Sequence, residues 1–244
     1  MTTSSTTQPG SSSLSQPDYW WYRARATLLE TVLGPYLGTP SRVLDVGSAD
    51  GPSVAWMRGA SRRTTMDILP GGLVPGEGVC GSATDLPFAS EAFEVVAAFD
   101  VVEHTEDDVR ALAELTRVLR PGGRLLLSVP AYQWAWSDHD VRAGHYRRYT
   151  RPGLVRVVEG AGLKVLRATY AFGSVFPFFV AERAMREAKR RTGRLTEQRL
   201  TPVSPAADRL LMRLSAADAR LLARHDLPFG SSVFLAAVKR GPGA

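Results

Sequence analysis

The sequence predicts a doubly wound α/β fold, one sheet held between layers of helix. Three observations lead there. Short apolar runs alternate with stretches of helical period from residue 42 to residue 170, the pattern of β–α units wound onto a common sheet. The run at 92–101 is almost continuously apolar, as a strand covered on both faces requires. The first run ends in the turn Asp45-Val46-Gly47-Ser48-Ala49-Asp50-Gly51, and open α/β sheets place their ligands at such strand ends.

Each element has its own signal. Residues 18–37 read as an amphipathic helix opened by Pro17 and Asp18, front-loaded with Tyr19, Trp20, Trp21 and Tyr22, and ended by Gly38 and Pro40. The strand at 42–46 stops at Gly47, and a short helix is expected from Pro52, a residue suited to a first helical position. A second strand at 63–68 leads into a loop with Gly71, Gly72, Gly76 and Gly78, and a third surrounds Val79 and Cys80. After the buried strand, Val109, Leu112, Leu115, Val118 and Leu119 form a helical stripe over 107–119. Pro121-Gly122-Gly123 turns the chain into a strand at 124–129. Thr150 and Pro152 start another helix, Gly160 and Gly162 end it, and 163–170 is a sixth strand. A helical insertion, 172–228, precedes the seventh strand at 232–239. One domain over 18–244 accounts for all of this.

Composition narrows the function classes. The 244 residues are 44% hydrophobic and 22% charged, so fibrous and disordered architectures are excluded for the bulk of the chain. A single cysteine, Cys80, excludes an internal disulfide framework and a cysteine-built zinc site. The net charge of +6 is local: residues 183–224 hold eleven arginines and lysines against four acids. A neutral body argues against a surface that coats nucleic acid. The longest apolar stretch, 170–181, contains Gly173 and Pro177 and is too short to span a bilayer. Residues 1–17 carry no charge and ten serines or threonines, neither a signal nor a transit pattern, and read as a disordered tail. A cytoplasmic location is expected.

The glycine turn is wrong for the common nucleotides. The nicotinamide form needs glycines at a first, third and sixth position, where this chain has Gly47, Ala49 and Pro52. It also lacks the Lys-Ser/Thr ending of a phosphate-binding loop. Together with segments farther along the chain, the turn resembles the first motif of the class I S-adenosylmethionine-dependent methyltransferases, and the Rossmann-like sheet of that family. Asp67 ends the second strand twenty-two residues after Asp45, where the family carries an acid for the ribose hydroxyls. Gly81-Ser82-Ala83-Thr84-Asp85-Leu86-Pro87-Phe88 is similar to the adenine segment, and Phe99-Asp100-Val101-Val102-Glu103-His104 to the fourth-strand motif. Leu119-Arg120-Pro121-Gly122-Gly123-Arg124-Leu125 is similar to the turn into the fifth strand.

The resemblance implies S-adenosyl-L-methionine as methyl donor, S-adenosyl-L-homocysteine as product, and a donor site formed by Asp45, Gly47, Ser48, Gly51, Asp67, Ile68, Ser82, Ala83, Phe99 and Asp100. Physical reasons stand beside it. Gly47 and Gly51 permit close backbone approach and unusual dihedrals. The Asp67 carboxylate can accept from two ribose hydroxyls, and Asp45 can orient the loop or attract the donor's ammonium. Two departures are visible. Ala49 replaces the usual middle glycine, and Ser82 stands where the family commonly has an aspartate, with Asp85 three residues on as a substitute. A neutral acceptor gives a bond about half as strong as a charged one.

Residues 130–149 come directly after the fifth strand and leave from the carboxyl edge of the sheet. Five aromatics, two histidines, two aspartates and three arginines in twenty residues are dense chemistry for a loop. One reading is an acceptor pocket: walls from Tyr132, Trp134, Trp136 and Tyr146, His139 or His145 as base, and Arg147 or Arg148 as anion clamp. A second is a metal site of Asp138, His139, Asp140 and His145; two histidines six apart fit no standard zinc spacing, so no metal is expected. In the third, Arg147 and Arg148 pair with Asp138 and Asp140 and staple the loop. A mixture is favoured, with Asp–Arg pairs holding the loop and the histidines facing substrate. His104 is read either as a base near the acceptor or as part of a capping environment ahead of Thr105, Glu106, Asp107 and Asp108. Trp21 and Tyr22 are read either as core or as a lid over the donor. The 172–200 stretch sets an apolar patch beside a basic face, a membrane-surface or amphiphilic-substrate element or a partner-packing helix.

The leading function is methyl transfer to an oxygen, nitrogen or carbon of a small-molecule or lipid-like acceptor. RNA-directed methylation is the rival suggested by the basic segment, although Asp100-Val101-Val102-Glu103-His104 lacks the Asn/Asp-Pro-Pro-aromatic signature of many nucleic-acid enzymes. A methyl-free reaction on the same fold, such as a cyclisation, is a further alternative.

Overall fold

The computed structural model describes residues 16–47, 51, 54–59, 62–69, 73, 78–191 and 203–241. The expected tail, except Gln16 and Pro17, lies outside them, as do Ser48, Pro52 and residues 192–202. Helix α1 (Trp20–Leu37) ends where Gly38 takes φ 65°, a left-handed turn that a side chain would strain. Strands β1 (Val43–Val46), β2 (Arg63–Asp67), β3 (Gly78–Cys80) and β4 (Phe93–Phe99) come next. Helix α2 (Asp108–Val118) is capped by the Asp107 side chain, which accepts from Arg110 N–H. After β5 (Leu119–Pro130) come α3 (Asp138–Ala143), α4 (Arg151–Gly160), β6 (Leu163–Ala171), α5 (Phe176–Arg191), α6 (Pro205–Leu222) and β7 (Ser232–Lys239).

The seven strands lie in the order β3-β2-β1-β4-β5-β7-β6. β1 to β5 pair in parallel, and β7 runs antiparallel between β5 and β6. The carboxyl ends of β1, β2, β4 and β5 therefore share one edge. Alternation along β4 shows why both faces are covered. Val96 and Ala98 join a core with Leu112, Leu115 and Leu154 from α2 and α4. Val95, Ala97 and Phe99 join a second core with Leu28, Leu29, Val32 and Leu222 from α1 and α6. Each fully buried leucine contributes roughly 1.5–3 kcal/mol.

Three details differ from the sequence reading. Where a helix was expected from Pro52, the described residues form a 3₁₀ turn at Ala55–Gly59. β5 begins at Leu119, which pairs with Phe93 before the register jumps to Arg124 against Val95. Pro121-Gly122-Gly123 is thus a bulge inside the strand, with Gly122 at φ 74°. The 130–149 loop also contains the short helix α3, whose Ser137–Asp140 capping box closes it at one end.

Candidate active site

At the end of β1, Gly47 has φ 73°, and a Cβ there would lie 2.5 Å from Val101 Cγ2. Only glycine fits this approach to the β4 loop. Gly51, further along the turn, faces open space: a Cβ would meet nothing within 4 Å. Asp45 is buried inside β1, with Arg63 Nη1 3.6 Å from its Oδ2. Asp67, at the end of β2, is 8% exposed, and its Oδ1 accepts from Leu69 N–H at 2.8 Å, which fixes the carboxylate's direction. Ile68 beside it is 68% exposed. Ser82 sits in a tight turn, its Oγ 2.8 Å from Thr84 Oγ1 and accepting from Thr84 N–H, with Ala83 buried behind. Asp85, the substitute considered, is exposed.

Phe99 is core, with Trp56 against it, and Asp100 turns out of β4 at φ 56°. Two residues that sequence reasoning missed hold Asp100 there. Ser128 on β5 donates to its Oδ1 at 2.9 Å, and Arg25 on α1 approaches its Oδ2 at 2.9 Å. Arg25 is 1% exposed and also donates to Ser128. Trp21 lies under the same guanidinium and stacks on Phe172; Tyr22 is 7% exposed. Tyr22 is thus part of the core, and Trp21 is half-buried against the Arg25 guanidinium. Only a buried charge in the amphipathic pattern of α1, with a carboxylate needed elsewhere, could have signalled Arg25.

The 130–149 segment is held by paired side chains. Asp140 is fully buried and receives Arg148 Nε at 2.7 Å, Arg148 Nη2 at 3.1 Å, Ser137 N–H at 2.8 Å and His145 Nδ1 at 2.8 Å. Burial alone would raise the Asp140 pKa, but the bonds from His145 and Arg148 outweigh it and hold the carboxyl well below its usual range. The expected Asp–Arg staple therefore forms with Arg148. Arg147 pairs instead with Asp108 Oδ1 at 2.5 Å and donates to the Glu106 carbonyl, tying the loop to the start of α2. Tyr149 donates to Asp108 Oδ2 at 2.7 Å, and Tyr146 N–H to the Glu103 carbonyl at 2.7 Å, while the Tyr146 ring is 52% exposed. The segment after β4 is thereby stitched to the segment after β5.

That stitching assembles imidazoles. His104 and His145 rings meet edge to face at 4.5 Å, and His139 lies 6.1 Å from His145. His104 occupies a 3₁₀ turn, Val102–His104, and Asp107, not His104, caps α2. Surrounding walls depress the His104 and His139 pKa values, with the neighbouring His145 adding to both; Asp100 and Asp67 partly offset this for His104. The same His104 ring thus senses acids at the ends of β2 and β4. Tyr132 stacks on Tyr170 at 5.2 Å and on Trp134 at 5.6 Å, with Phe176 from α5 closing the group. Burial and the Tyr170 contact raise the Tyr132 pKa to about 12. Trp136 is half-buried.

Comparison with known proteins agrees with this layout. Residues 44–127 match the family profile described as a methyltransferase domain. An uncharacterized methyltransferase of Mycolicibacterium gilvum is 31% identical over 120 residues, 42% of this chain and 47% of the relative. The demethylmenaquinone methyltransferase of Mycolicibacterium paratuberculosis is 29% identical over 153 residues, 60% of this chain and 62% of the relative. The alignments thus span between about half and just under two thirds of such relatives. Among solved structures, the Burkholderia thailandensis 1,6-didemethyltoxoflavin N1-methyltransferase, with its acceptor and S-adenosylhomocysteine bound, superposes with TM-score 0.55 at 18% identity, over 95% of this chain and 85% of that one.

Proposed function

We propose that this chain is a class I S-adenosylmethionine-dependent methyltransferase, in keeping with the methyltransferase-domain match over residues 44–127, and that it transfers a methyl group to an oxygen, nitrogen or carbon atom of a small-molecule or lipid-like acceptor. One observation carries the reading: the Gly47 turn and the strand-end acids Asp67 and Asp100 lie along one edge of the sheet, and His104, whose ring both acids influence, meets His145 edge to face with His139 beyond it. S-adenosylmethionine supplies, when bound, an electrophilic methyl on a sulfonium sulfur. The residues fit such a donor. Gly51 fronts open space, Asp67 is oriented to accept from the ribose hydroxyls, and Asp45 sits where it steadies the turn. Ile68 offers an exposed apolar face for the adenine ring, and Asp100 is braced from both neighbouring elements.

On the acceptor side positioning supplies much of the rate, because displacement at a methyl carbon needs the heteroatom in line. The stacked Tyr132, Trp134 and Phe176 suit a ring-containing or apolar acceptor. For a hydroxyl acceptor the proton is taken by one of the two imidazoles, His139 or His145. The lipid-like end of the range is favoured by α5, where Phe178 and Met185 are 59% and 60% exposed beside that aromatic group, and by the demethylmenaquinone named in one relative. RNA as acceptor is less favoured because the segment after β4, Asp100-Val101-Val102-Glu103-His104, lacks the Asn/Asp-Pro-Pro-aromatic signature of many nucleic-acid enzymes.

Titration calorimetry with S-adenosylmethionine tests the reading. One molecule binds per chain, and Asp67→Ala weakens it by about 1.5–3 kcal/mol, the value of a hydrogen bond to a charged group. Equal affinity in the variant overturns the placement, and no binding to the wild type overturns the function.

A further inference from the structure

Glu103, His104 and His145 come from two segments that no sequence spacing connects, yet a carboxylate oxygen and one nitrogen from each imidazole lie within 4.8 Å of one another. Three donors about 2.1 Å from one ion sit roughly 3.4 Å apart, so small side-chain rotations close the set. Glu103 is fully buried, and neither of its carboxylate oxygens has a hydrogen-bond partner among the described residues. Its nearest cations are engaged elsewhere, Arg25 with Asp100 and Arg148 with Asp140. A buried carboxyl without a partner costs several kcal/mol unless it holds a proton or meets a cation.

The imidazoles are oriented as ligands are. His145 engages Asp140 through Nδ1 at 2.8 Å, leaving Nε2 for the cluster. The His104 ring is bonded to the Ala143 backbone. A carboxylate or backbone partner on the outer nitrogen fixes the ring and raises its basicity toward a metal. His104 is exposed to solvent while Glu103 closes the rear, which leaves coordination positions open on the acceptor side.

We propose that Glu103, His104 and His145 bind a divalent first-row cation, zinc or a neighbour in that row, and that the acceptor's heteroatom takes an open position on it. Two imidazoles and one carboxylate suit such ions better than magnesium or calcium. This deepens the methyl-transfer reading and rests on it. It also divides the two histidines left open above: His145 is a ligand and His139 remains the proton acceptor. The cation draws electron density from a bound hydroxyl, the proton passes to His139 and then to water, and the oxygen lone pair forms the bond to the methyl carbon as the carbon–sulfur pair leaves with sulfur. No oxidant or reductant enters. The expectation of a metal-free site, drawn from the local histidine spacing, is revised because two of the three partners, Glu103 and His104, stand at another strand end, far back in the chain.

The test uses the full chain stripped with chelator and titrated with Co²⁺, whose visible absorption reports its ligands. One Co²⁺ per chain is expected, with affinity about 10–100-fold weaker in Asp140→Asn, where the outer partner is altered, and saturable absorption lost in Glu103→Gln. Should Glu103→Gln fail to fold by circular dichroism, His104→Ala, at an exposed ring, serves in its place. No saturable cobalt spectrum in the wild type, or an unchanged one in the folded variants, overturns the metal. S-adenosylmethionine calorimetry on the same samples keeps the two readings apart: donor binding without a cobalt signal removes the metal and leaves the transferase.

Discussion

The donor side and the acceptor side of this edge are built in different ways. The donor side is made mostly by backbone: strand ends, the left-handed Gly47 and the turn at Ser82 place their groups through register with the next strand, and Asp100 is the exception, held by the side chains of Arg25 and Ser128. The acceptor side is made by side chains, with Asp140 and Asp108 each gathering partners from across the 130–149 segment. The first depends on a few short motifs. The second depends on charges buried in pairs, where losing one partner strands the other. A substitution at Asp67 should therefore reduce binding and leave folding alone, whereas one at Asp140 should damage the fold locally as well as the chemistry.

The largest effect that separates the two is expected at Asp140. Asp140→Ala leaves Arg148, with a side chain 4% exposed, without its carboxylate, and breaking a buried pair costs about 3–5 kcal/mol. Urea denaturation should show that loss, while S-adenosylmethionine still binds the folded fraction. A change below about 1 kcal/mol would mean the acceptor side is not held by this network. Next comes the outer surface of α5. If Phe178, Met185 and the neighbouring arginines meet membrane, each arginine contributes about 1 kcal/mol on anionic lipid, and co-sedimentation with anionic vesicles falls as salt rises. Equal sedimentation on neutral vesicles would assign the surface to packing or acceptor entry. The smallest effect is expected at Arg147, whose pair with Asp108 is 30% exposed on the arginine side. Arg147→Ala should cost about 0–1 kcal/mol, and a larger loss by the same urea assay would show that the stitch between the two segments matters more than Asp140's network.

The same contrast explains what the sequence made legible. The strand runs, the helix start at Thr150 and the final strand at Ser232–Lys239 obey local rules, and so does the order of donor motifs. Arg25 did not stand out, because its meaning comes from Asp100 seventy-five residues on. Arg147 and Arg148 were both paired with nearby aspartates on spacing alone, and only Arg148 obeys; Asp108 draws Arg147 because Tyr149 and α2 carry it alongside. Glu103 reads as part of a strand-end motif, and its burial with no hydrogen-bond partner among the described residues is visible only once β4 and β5 are packed. Long-range pairing of side chains leaves no periodicity, so the half of the site built that way is the half the sequence conceals.

The central claim is that donor binding and acceptor chemistry are separable functions of these two halves. The direct measurement is a paired one on His139→Ala: turnover with the best acceptor from a panel of hydroxyl compounds, and S-adenosylmethionine affinity by calorimetry on the same sample. The account predicts that turnover falls by about 10²–10⁴-fold, the usual cost of losing a proton acceptor, while affinity stays unchanged. Undiminished turnover, or affinity falling in step with it, would contradict the division.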